Sequence, residues 1–162
     1  PVTPPVTPLT LLVDALGVTE PAVYLQAENV FQYDFANDFW FARVDRAGSG
    51  EAGEAVQAFV HEAASETQAQ ALLTRLLDEH QYDYTTVEAA TTSDWQPHWH
   101  LLRHRFLDSL FAVARAGRYL YGVEKAPAAE PAARLMQRLD AHLATVARVP
   151  SGPSGPSVAG QR

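Results

Sequence analysis

Three histidines that lie close together in the sequence have the clearest potential for chemistry. If the surrounding segment forms an extended strand, the side chains of His98, His100 and His104 all point to the same side. The first two then stand about 7 Å apart, a spacing at which two imidazoles can bind one transition metal ion. A third ligand comes from His104 or, on a neighbouring strand, from His61 or Glu62. The pattern predicts a metal-binding protein or a small metal-dependent enzyme, and the alternative interpretation is a row of hydrated histidines.

Four arginines lie on and just after the same segment. Guanidinium groups bind carboxylates and phosphates through paired hydrogen bonds, so a cluster of them predicts an anion-binding domain. The four are Arg103, Arg105, Arg115 and Arg118. The competing interpretation is that each arginine pairs with a nearby Asp or Glu on the surface of a sheet.

An aromatic segment in the first quarter of the chain predicts a contact surface. Half-buried strands favour aromatic residues, so part of the segment is expected to belong to the core. Asp34 and Asp38 lie among the rings and indicate that another part is exposed, as in a surface that meets a partner protein. The residues that we assign to partner binding are Phe31, Tyr33, Phe35 and Phe39.

The sequence lacks the patterns of known catalytic sites, such as the Gly-x-Ser-x-Gly elbow, the His-Glu-x-x-His pair and the dinucleotide fingerprint. Its glycine-rich segment, RAGSGEAGE, is followed by no lysine and contains glutamates that repel phosphate, so we interpret it as a hairpin loop. The absence of cysteine excludes disulfides, thiolate metal sites and a cysteine nucleophile. These exclusions favour a non-enzymatic protein without a cofactor.

Length and charge narrow the class of protein and of partner. A chain of 162 residues that is 47% hydrophobic and 19% charged is typical of one globular domain. The 12 basic and 19 acidic residues give a net charge of −7, which argues against nucleic acid and also against the anion-binding alternative. No apolar run is long enough to predict a transmembrane span.

The elements that must position these residues follow from the hydrophobic periodicity. A helix is predicted from Ser65 to about His80, because Ser65 and Gln68 have the spacing of a capping box and leucines then recur every three or four residues. A second helix is predicted to begin near Pro131, a residue favoured in a first turn. A shorter helix is predicted over residues 10–16.

Alternating apolar and polar residues predict the strands, which are residues 38–45, 55–62, 82–89, 98–106, 110–115 and 118–123. The first two form a hairpin with a long loop, and the last two form a hairpin with a compact turn at Ala116 and Gly117. The combination predicts the α+β class, with an antiparallel sheet of about five or six strands and two amphipathic helices packed on one face.

Both ends of the chain are predicted to be extended tails. Residues 1–8 are rich in proline and threonine, and residues 150–162 are rich in serine, glycine and proline. Neither segment offers an apolar face to bury. The expected organisation is therefore an N-terminal tail over residues 1–8, a single α+β domain over 9–149 and a C-terminal tail over 150–162.

Three stretches resemble an uncharacterised bacterial family of duplicated α+β domains with unknown function. They are AVYLQAENVFQYDF, AFVHEAASETQAQALLTRLLDEH and LFAVARAGRYLYGVEKA with the helix after it, within residues 21–147. The family's helix motif is matched by Glu66, Thr67, Ala69, Ala71 and Leu72, and its strand motif by Ala116, Gly117, Arg118, Tyr119 and Gly122. Because its members are often exported, the resemblance implies an extracytoplasmic location as well as the α+β fold. It implies no activity and no site residue.

The sequence as a whole predicts a non-enzymatic interaction module, an accessory or structural subunit of a larger multi-protein assembly. Its expected partners are other protein subunits, contacted through the two tails and the aromatic segment. The metal-binding protein and the anion-binding domain are the two alternatives.

Overall fold

The computed structural model describes residues 7–44, 56–87 and 95–148, with residues 147 and 148 described by their backbone only. The glycine-rich loop and nearly all of both predicted tails lie outside these ranges. The helices are α1 (Pro8–Leu16), α2 (Glu66–His80) and α3 (Ala129–Arg148). The strands are β1 (Val23–Gln26), β2 (Phe39–Val44), β3 (Val56–Glu62), β4 (Tyr84–Thr86), β5 (His100–His104), β6 (Leu110–Ala116) and β7 (Tyr119–Ala126).

The seven strands form one antiparallel sheet in the order β1-β2-β3-β7-β6-β5-β4. The hairpin of β6 and β7 turns at Ala116 and Gly117, as predicted, and Gly117 has a φ of 59°, which glycine adopts without strain. The α+β class and the antiparallel sheet are confirmed, with one or two strands more than expected.

The helices cover both faces of the sheet, which corrects the expectation that they share one face. Ala58 packs with Leu12 of α1 and Leu139 of α3, whereas the next residue, Phe59, packs on the opposite face with Leu76 of α2. The physical reason is that the central strands carry apolar side chains at nearly every position. A sheet that is apolar on both faces needs a helix layer on each.

Local hydrogen bonds explain where two helices begin and one ends. The hydroxyl of Thr7 accepts a hydrogen bond from the first turn of α1, and Gly17 ends that helix with a φ of 69°. Pro8, assigned to the tail, is therefore the buried first residue of α1. As predicted, α2 begins after Ser65, whose Oγ accepts a hydrogen bond of 3.1 Å from the N–H of Gln68. None of the helices in the described ranges is both long and apolar enough to cross a membrane.

Three strands differ from their predictions. β1 is an additional strand that the sequence did not predict. It has only four residues, and two consecutive ones, Tyr24 and Leu25, are exposed, so buried and exposed positions do not alternate along it. β4 is reduced to Tyr84–Thr86 in the described part of its segment. β5 begins at His100, because a turn at residues 97–98 precedes it.

Candidate functional site

The three histidines predicted as metal ligands lie in different surroundings. His98 belongs to the turn before β5, and its Nε2 lies 3.6 Å from Oδ1 of Asp140 on α3. His104 ends β5 and accepts at Nδ1 two hydrogen bonds, of 3.1 and 3.0 Å, from backbone N–H groups of the following loop. His100 lies on β5, and its pKa is lowered mainly by burial and further by the nearby His98. The turn removes His98 from the predicted row, because the strand does not extend that far.

The residues considered as a third ligand are engaged elsewhere. His61 Nδ1 is 3.1 Å from the carbonyl oxygen of Asp38, and its ring stacks on Phe39 at 4.7 Å. Burial lowers the pKa of His61. Glu62 forms an ion pair of 2.7 Å with Arg118. Within residues 7–44, 56–87 and 95–148 no group of three or more His, Asp or Glu side chains could hold a metal ion, so this geometry does not support a metal site.

The four arginines form two separate pairs at opposite ends of β6. Arg103 lies beside Leu110, where β6 begins, and Arg115 is five residues further along that strand, which corresponds to about 17 Å. One carboxylate or phosphate cannot bridge this distance. Each arginine has its own partner instead: Asp108 for Arg103, the Gln81 carbonyl for Arg105, Gln70 and the Gly117 carbonyl for Arg115, and Glu62 for Arg118.

The aromatic segment packs inward, against the face of the sheet that α2 covers. Phe39 is fully buried, so it is not available to a partner in this fold. Phe31 adopts a φ of 57°, which is strained for a bulky residue, and its ring forms a T-shaped pair with that of Phe59, with the ring centroids 5.2 Å apart. Tyr33 and Phe35 are half-buried and stack on each other at 5.0 Å. Phe31 is half-buried as well, so the assignment of Phe31, Tyr33 and Phe35 to a partner surface stays a prediction.

A buried histidine completes this aromatic cluster. His80, at the end of α2, is 3% exposed, and its Nδ1 lies 2.9 Å from the hydroxyl of Tyr33. Its ring also stacks on Tyr84 at 4.8 Å and lies 4.3 Å from Phe111. Burial lowers the pKa of His80 to about 4 and is the main reason that the pKa of Tyr33 rises to about 12. The two groups are therefore a neutral, hydrogen-bonded pair at pH 7.

A second buried polar group joins the sheet to α3 on the other face. The hydroxyl of Tyr121, in β7, donates a hydrogen bond of 2.6 Å to Oδ1 of Asp140 and accepts one of 3.1 Å from Nε1 of Trp99. Burial, and then the hydrogen bond to Asp140, raise the pKa of Tyr121. The hydroxyl thus stays protonated and links three segments that are distant in the sequence.

Sequence reasoning missed both of these polar pairs. Their members are far apart in the chain, 47 residues for Tyr33 and His80 and 19 for Tyr121 and Asp140. A usable signal was present for the second pair, because Asp140 directly follows Leu139 on the apolar stripe of α3. An acid at the border of a buried stripe needs a polar partner on the surface that it packs against.

Exposed apolar side chains gather at one end of the sheet. Three of the five large apolar residues that are exposed in the described part of the chain occur there: Tyr82 at 72%, Phe106 at 79% and Leu107 at 62%. Arg105 joins their two loops through hydrogen bonds of 2.8 and 3.0 Å to the carbonyls on either side of Tyr82. We call Tyr82, Phe106 and Leu107 the apolar patch.

The strand beside the apolar patch, β4, is an edge of the sheet. Its backbone hydrogen bonds to β5 involve the carbonyl of Asp83 and the N–H of Val87. Hydrogen-bonding positions alternate along an antiparallel strand, so Tyr84 and Thr86 direct their N–H and C=O groups away from β5. No strand of the described ranges pairs with this outer side.

A cavity of about 210 Å³ opens next to the same edge, between α2 and the strands β4 and β5. Its walls include Leu77 of α2, Thr86 and Val87 at the end of β4, and His100 and Leu102 of β5. No Asp, Glu, Lys or Arg lines it. The lowered pKa of His100 favours its neutral form, and the cavity walls combine apolar side chains with the polar Gln81 and Thr86.

Comparisons of the chain with family models, with curated proteins and with solved structures find no match. The resemblance to the uncharacterised bacterial family therefore stays a prediction.

Proposed function

We propose that the chain is a non-enzymatic interaction module, an accessory subunit of a larger protein assembly that it contacts through the apolar patch. The observation that carries this proposal is the exposure of Phe106, Leu107 and Tyr82 at one place on the surface. Grouped apolar side chains lose an unfavourable contact with water when a partner covers them. Isolated exposed leucines are common, but neighbouring aromatic residues at such exposure are typical of an interface.

The non-enzymatic part of the proposal is supported by how the polar groups are used. In the described part of the chain, the residues with the largest pKa shifts are His80, Tyr33 and Tyr121, and each is hydrogen-bonded inside the fold. Their buried environment holds them in neutral forms that stabilise packing. A general acid or base needs an accessible proton instead.

The test compares binding by the full chain and by a patch variant, Phe106→Ser/Leu107→Ser. Each protein is immobilised, exposed to an extract of the native cells and cross-linked, and the retained proteins are quantified by mass spectrometry. We expect specific partner proteins to be retained by the wild type and reduced about tenfold on the double variant, as for loss of two interface anchors.

Leu25→Ser is the matched control, because Leu25 is 44% exposed on β1, at the opposite edge of the sheet. Circular dichroism confirms that all three proteins fold. Retention of the same partners by the double variant, or retention of no other protein by the wild type, contradicts the proposal.

A further inference from the structure

The segment between β1 and β2 packs on the α2 side of the sheet and carries backbone strain. We call residues 29–38 the aromatic strap. Four of the five non-glycine residues with a positive φ in the described ranges belong to it, namely Asn29 (55°), Phe31 (57°), Gln32 (69°) and Asp38 (61°). Asparagine and aspartate tolerate this region, but Phe31 and Gln32 are held there against their backbone preference. Strain of this kind is typical of segments that switch between conformations.

Side-chain packing compensates for this strain. The ring of Phe31 forms T-shaped pairs, with centroids 5.2 to 5.9 Å apart, with five other rings: Phe39, Phe41, Phe59, His80 and Phe111. Val30 and Ala36 are fully buried in the same layer. The guanidinium of Arg75, on α2, lies 4.1 Å from the centroid of the Phe35 ring. Aromatic and apolar contacts therefore hold the strap on the fold.

The backbone of the aromatic strap is independent of the strands and helices around it. In the described part of the chain, its backbone–backbone hydrogen bonds join residues of the range 27–38 to one another. The N–H of Val30 donates to the carbonyl of Ala36 at 2.9 Å, and the N–H of Asp38 closes the base by donating to Ala27 at 3.2 Å. The strap can therefore leave the sheet as a unit without breaking the strand pairing. Such a local opening requires less free energy than global unfolding.

We propose that the aromatic strap is an acid-sensitive switch, in which protonation of His80 releases the strap while α2 and the strands stay in place. The strap covers this histidine with two side chains. The hydroxyl of Tyr33 lies 2.9 Å from Nδ1, and the ring of Phe31 is 5.7 Å away. The other rings in contact, Tyr84 and Phe111, belong to strands of the sheet. Release of the strap is therefore the way to hydrate His80 that costs least structure.

Protonation and packing oppose each other at His80. The polar groups that face it from the strap and the neighbouring elements are the Tyr33 hydroxyl, the Tyr84 hydroxyl, the carboxylate of Asp83, the imidazole of His104 and the Leu76 carbonyl. The carbonyl and the carboxylate favour the charged form, but burial outweighs them and lowers the pKa to about 4. After release, hydration returns the pKa of His80 towards 6.5. The released form therefore gains population as the pH falls from 6.5 towards 4.

The released form presents an aromatic surface that the docked strap conceals. Phe41, Phe59 and Phe111 lose the ring of Phe31 that covers them and become accessible from outside. The apolar patch contains no residue of the strap. This inference therefore goes beyond the proposed function and does not depend on it.

Labelling of a single introduced cysteine tests the inference, because the chain has no cysteine of its own. Val30→Cys places a thiol at a fully buried position of the strap, and Val60→Cys is the matched control, fully buried on the opposite face of β3. The probe is dithiodipyridine, a disulfide that reacts with thiols at acid and neutral pH. Each labelling rate is divided by the rate of the same variant unfolded in urea at the same pH.

We expect the thiol at position 30 to be labelled at least about tenfold faster than the one at position 60 at pH 5, because the strap opens without global unfolding. Between pH 7 and pH 5 the normalised rate at position 30 is expected to rise about twentyfold, as the two pKa values of His80 require. His80→Phe, introduced into the Val30→Cys chain, is expected to remove most of this rise.

Two glycine variants of the Val30→Cys chain test the strain. Gln32→Gly relieves the left-handed backbone, so it is expected to lower the labelling rate about fivefold. Asp34→Gly, at an exposed strap residue without a positive φ, is expected to raise the rate, because glycine there only adds freedom to the released form. Equal labelling at positions 30 and 60 at every pH, or a rise that persists in His80→Phe, overturns the inference. Faster labelling in Gln32→Gly than in Asp34→Gly overturns it as well.

Discussion

His80 places a titratable ring among aromatic side chains, so the stability of the fold depends on its protonation. The pKa of His80 in the folded chain is about 4, below the ordinary value of 6.5, because burial disfavours the charged form. Between these two values the unfolded chain binds a proton that the folded chain does not. The stabilisation is therefore complete above about pH 6.5 and is lost as the pH falls towards 4.

We expect the free energy of unfolding to fall by about 2 kcal/mol between pH 7 and pH 5 through this one group. The variant His80→Phe removes the titration, so it is expected to lose less stability over the same interval. At pH 7 it is expected to be less stable by about 1 kcal/mol, because the hydroxyl of Tyr33 loses its partner. Urea unfolding followed by circular dichroism at each pH measures both effects.

Two controls isolate His80 in this comparison. Burial also lowers the pKa of His61 and of His100, but these residues titrate equally in the wild type and in the variant. Tyr33→Phe removes the hydrogen bond and keeps the buried imidazole, so it is expected to retain the acid sensitivity. Equal losses of stability in the wild type and in His80→Phe contradict the assignment.

At the scale of elements, the close packing of β7 depends on one glycine. Gly122 lies between Phe59 of β3 and Val113 of β6, and a methyl group added to it meets the carbonyl oxygen of Ala112 and the ring of Phe59. Neither can move away freely, because one is sheet backbone and the other is a fully buried ring. The absence of a side chain at this position therefore lets the ring of Phe59 pack against the backbone of β7.

Gly122→Ala is expected to destabilise the fold by about 3 kcal/mol, the upper range for overpacking in a core. The matched control is Gly117→Ala in the β6–β7 turn, where the φ of 59° makes alanine unfavourable by about 1 kcal/mol. Thermal unfolding of both variants measures how much stability each substitution loses. A smaller effect at Gly122 than at Gly117 contradicts this account of the sheet.

The elements that sequence reasoning predicted are those with a strong local signal. The cap at Ser65 and the leucine repeat locate α2, and the alternation from Val56 to Val60 locates β3. The face on which a helix packs has no local signal, because periodicity identifies the buried side of an element and not its partner. Phe39 belongs to the second apolar layer, whereas sequence reasoning assigned it to a partner surface and predicted helices on one face only.

The metal and anion sites were predicted less well than the fold. The metal site required an unbroken strand through His98, and the turn before β5 interrupts it. The anion site required four arginines on one surface, but Arg103 and Arg115 lie at opposite ends of β6. The contact between Tyr33 and His80 depends on the tertiary arrangement, which spacing in the sequence does not encode.

At the scale of the whole molecule, one sheet separates two apolar layers. One layer contains residues of α1 and α3, such as Leu12 and Leu139, and the other contains the aromatic cluster with Leu76 of α2. Successive residues of β3, such as Ala58 and Phe59, contribute to opposite layers. Neither layer can lose its packing without disturbing the strands that both share, so the domain is expected to unfold as one cooperative unit.

The tryptophans allow this cooperativity to be tested, because all three of them, Trp40, Trp95 and Trp99, pack in the layer of α1 and α3. Leu76→Ala creates a cavity in the opposite layer and is expected to lower the free energy of unfolding by about 2–5 kcal/mol. If the sheet couples the layers, tryptophan fluorescence and far-ultraviolet circular dichroism shift to the same lower urea midpoint. Leu139→Ala, a truncation in the tryptophan layer itself, is expected to behave in the same way. A fluorescence transition that stays at the wild-type midpoint in Leu76→Ala, while circular dichroism shifts, means that the two layers unfold separately.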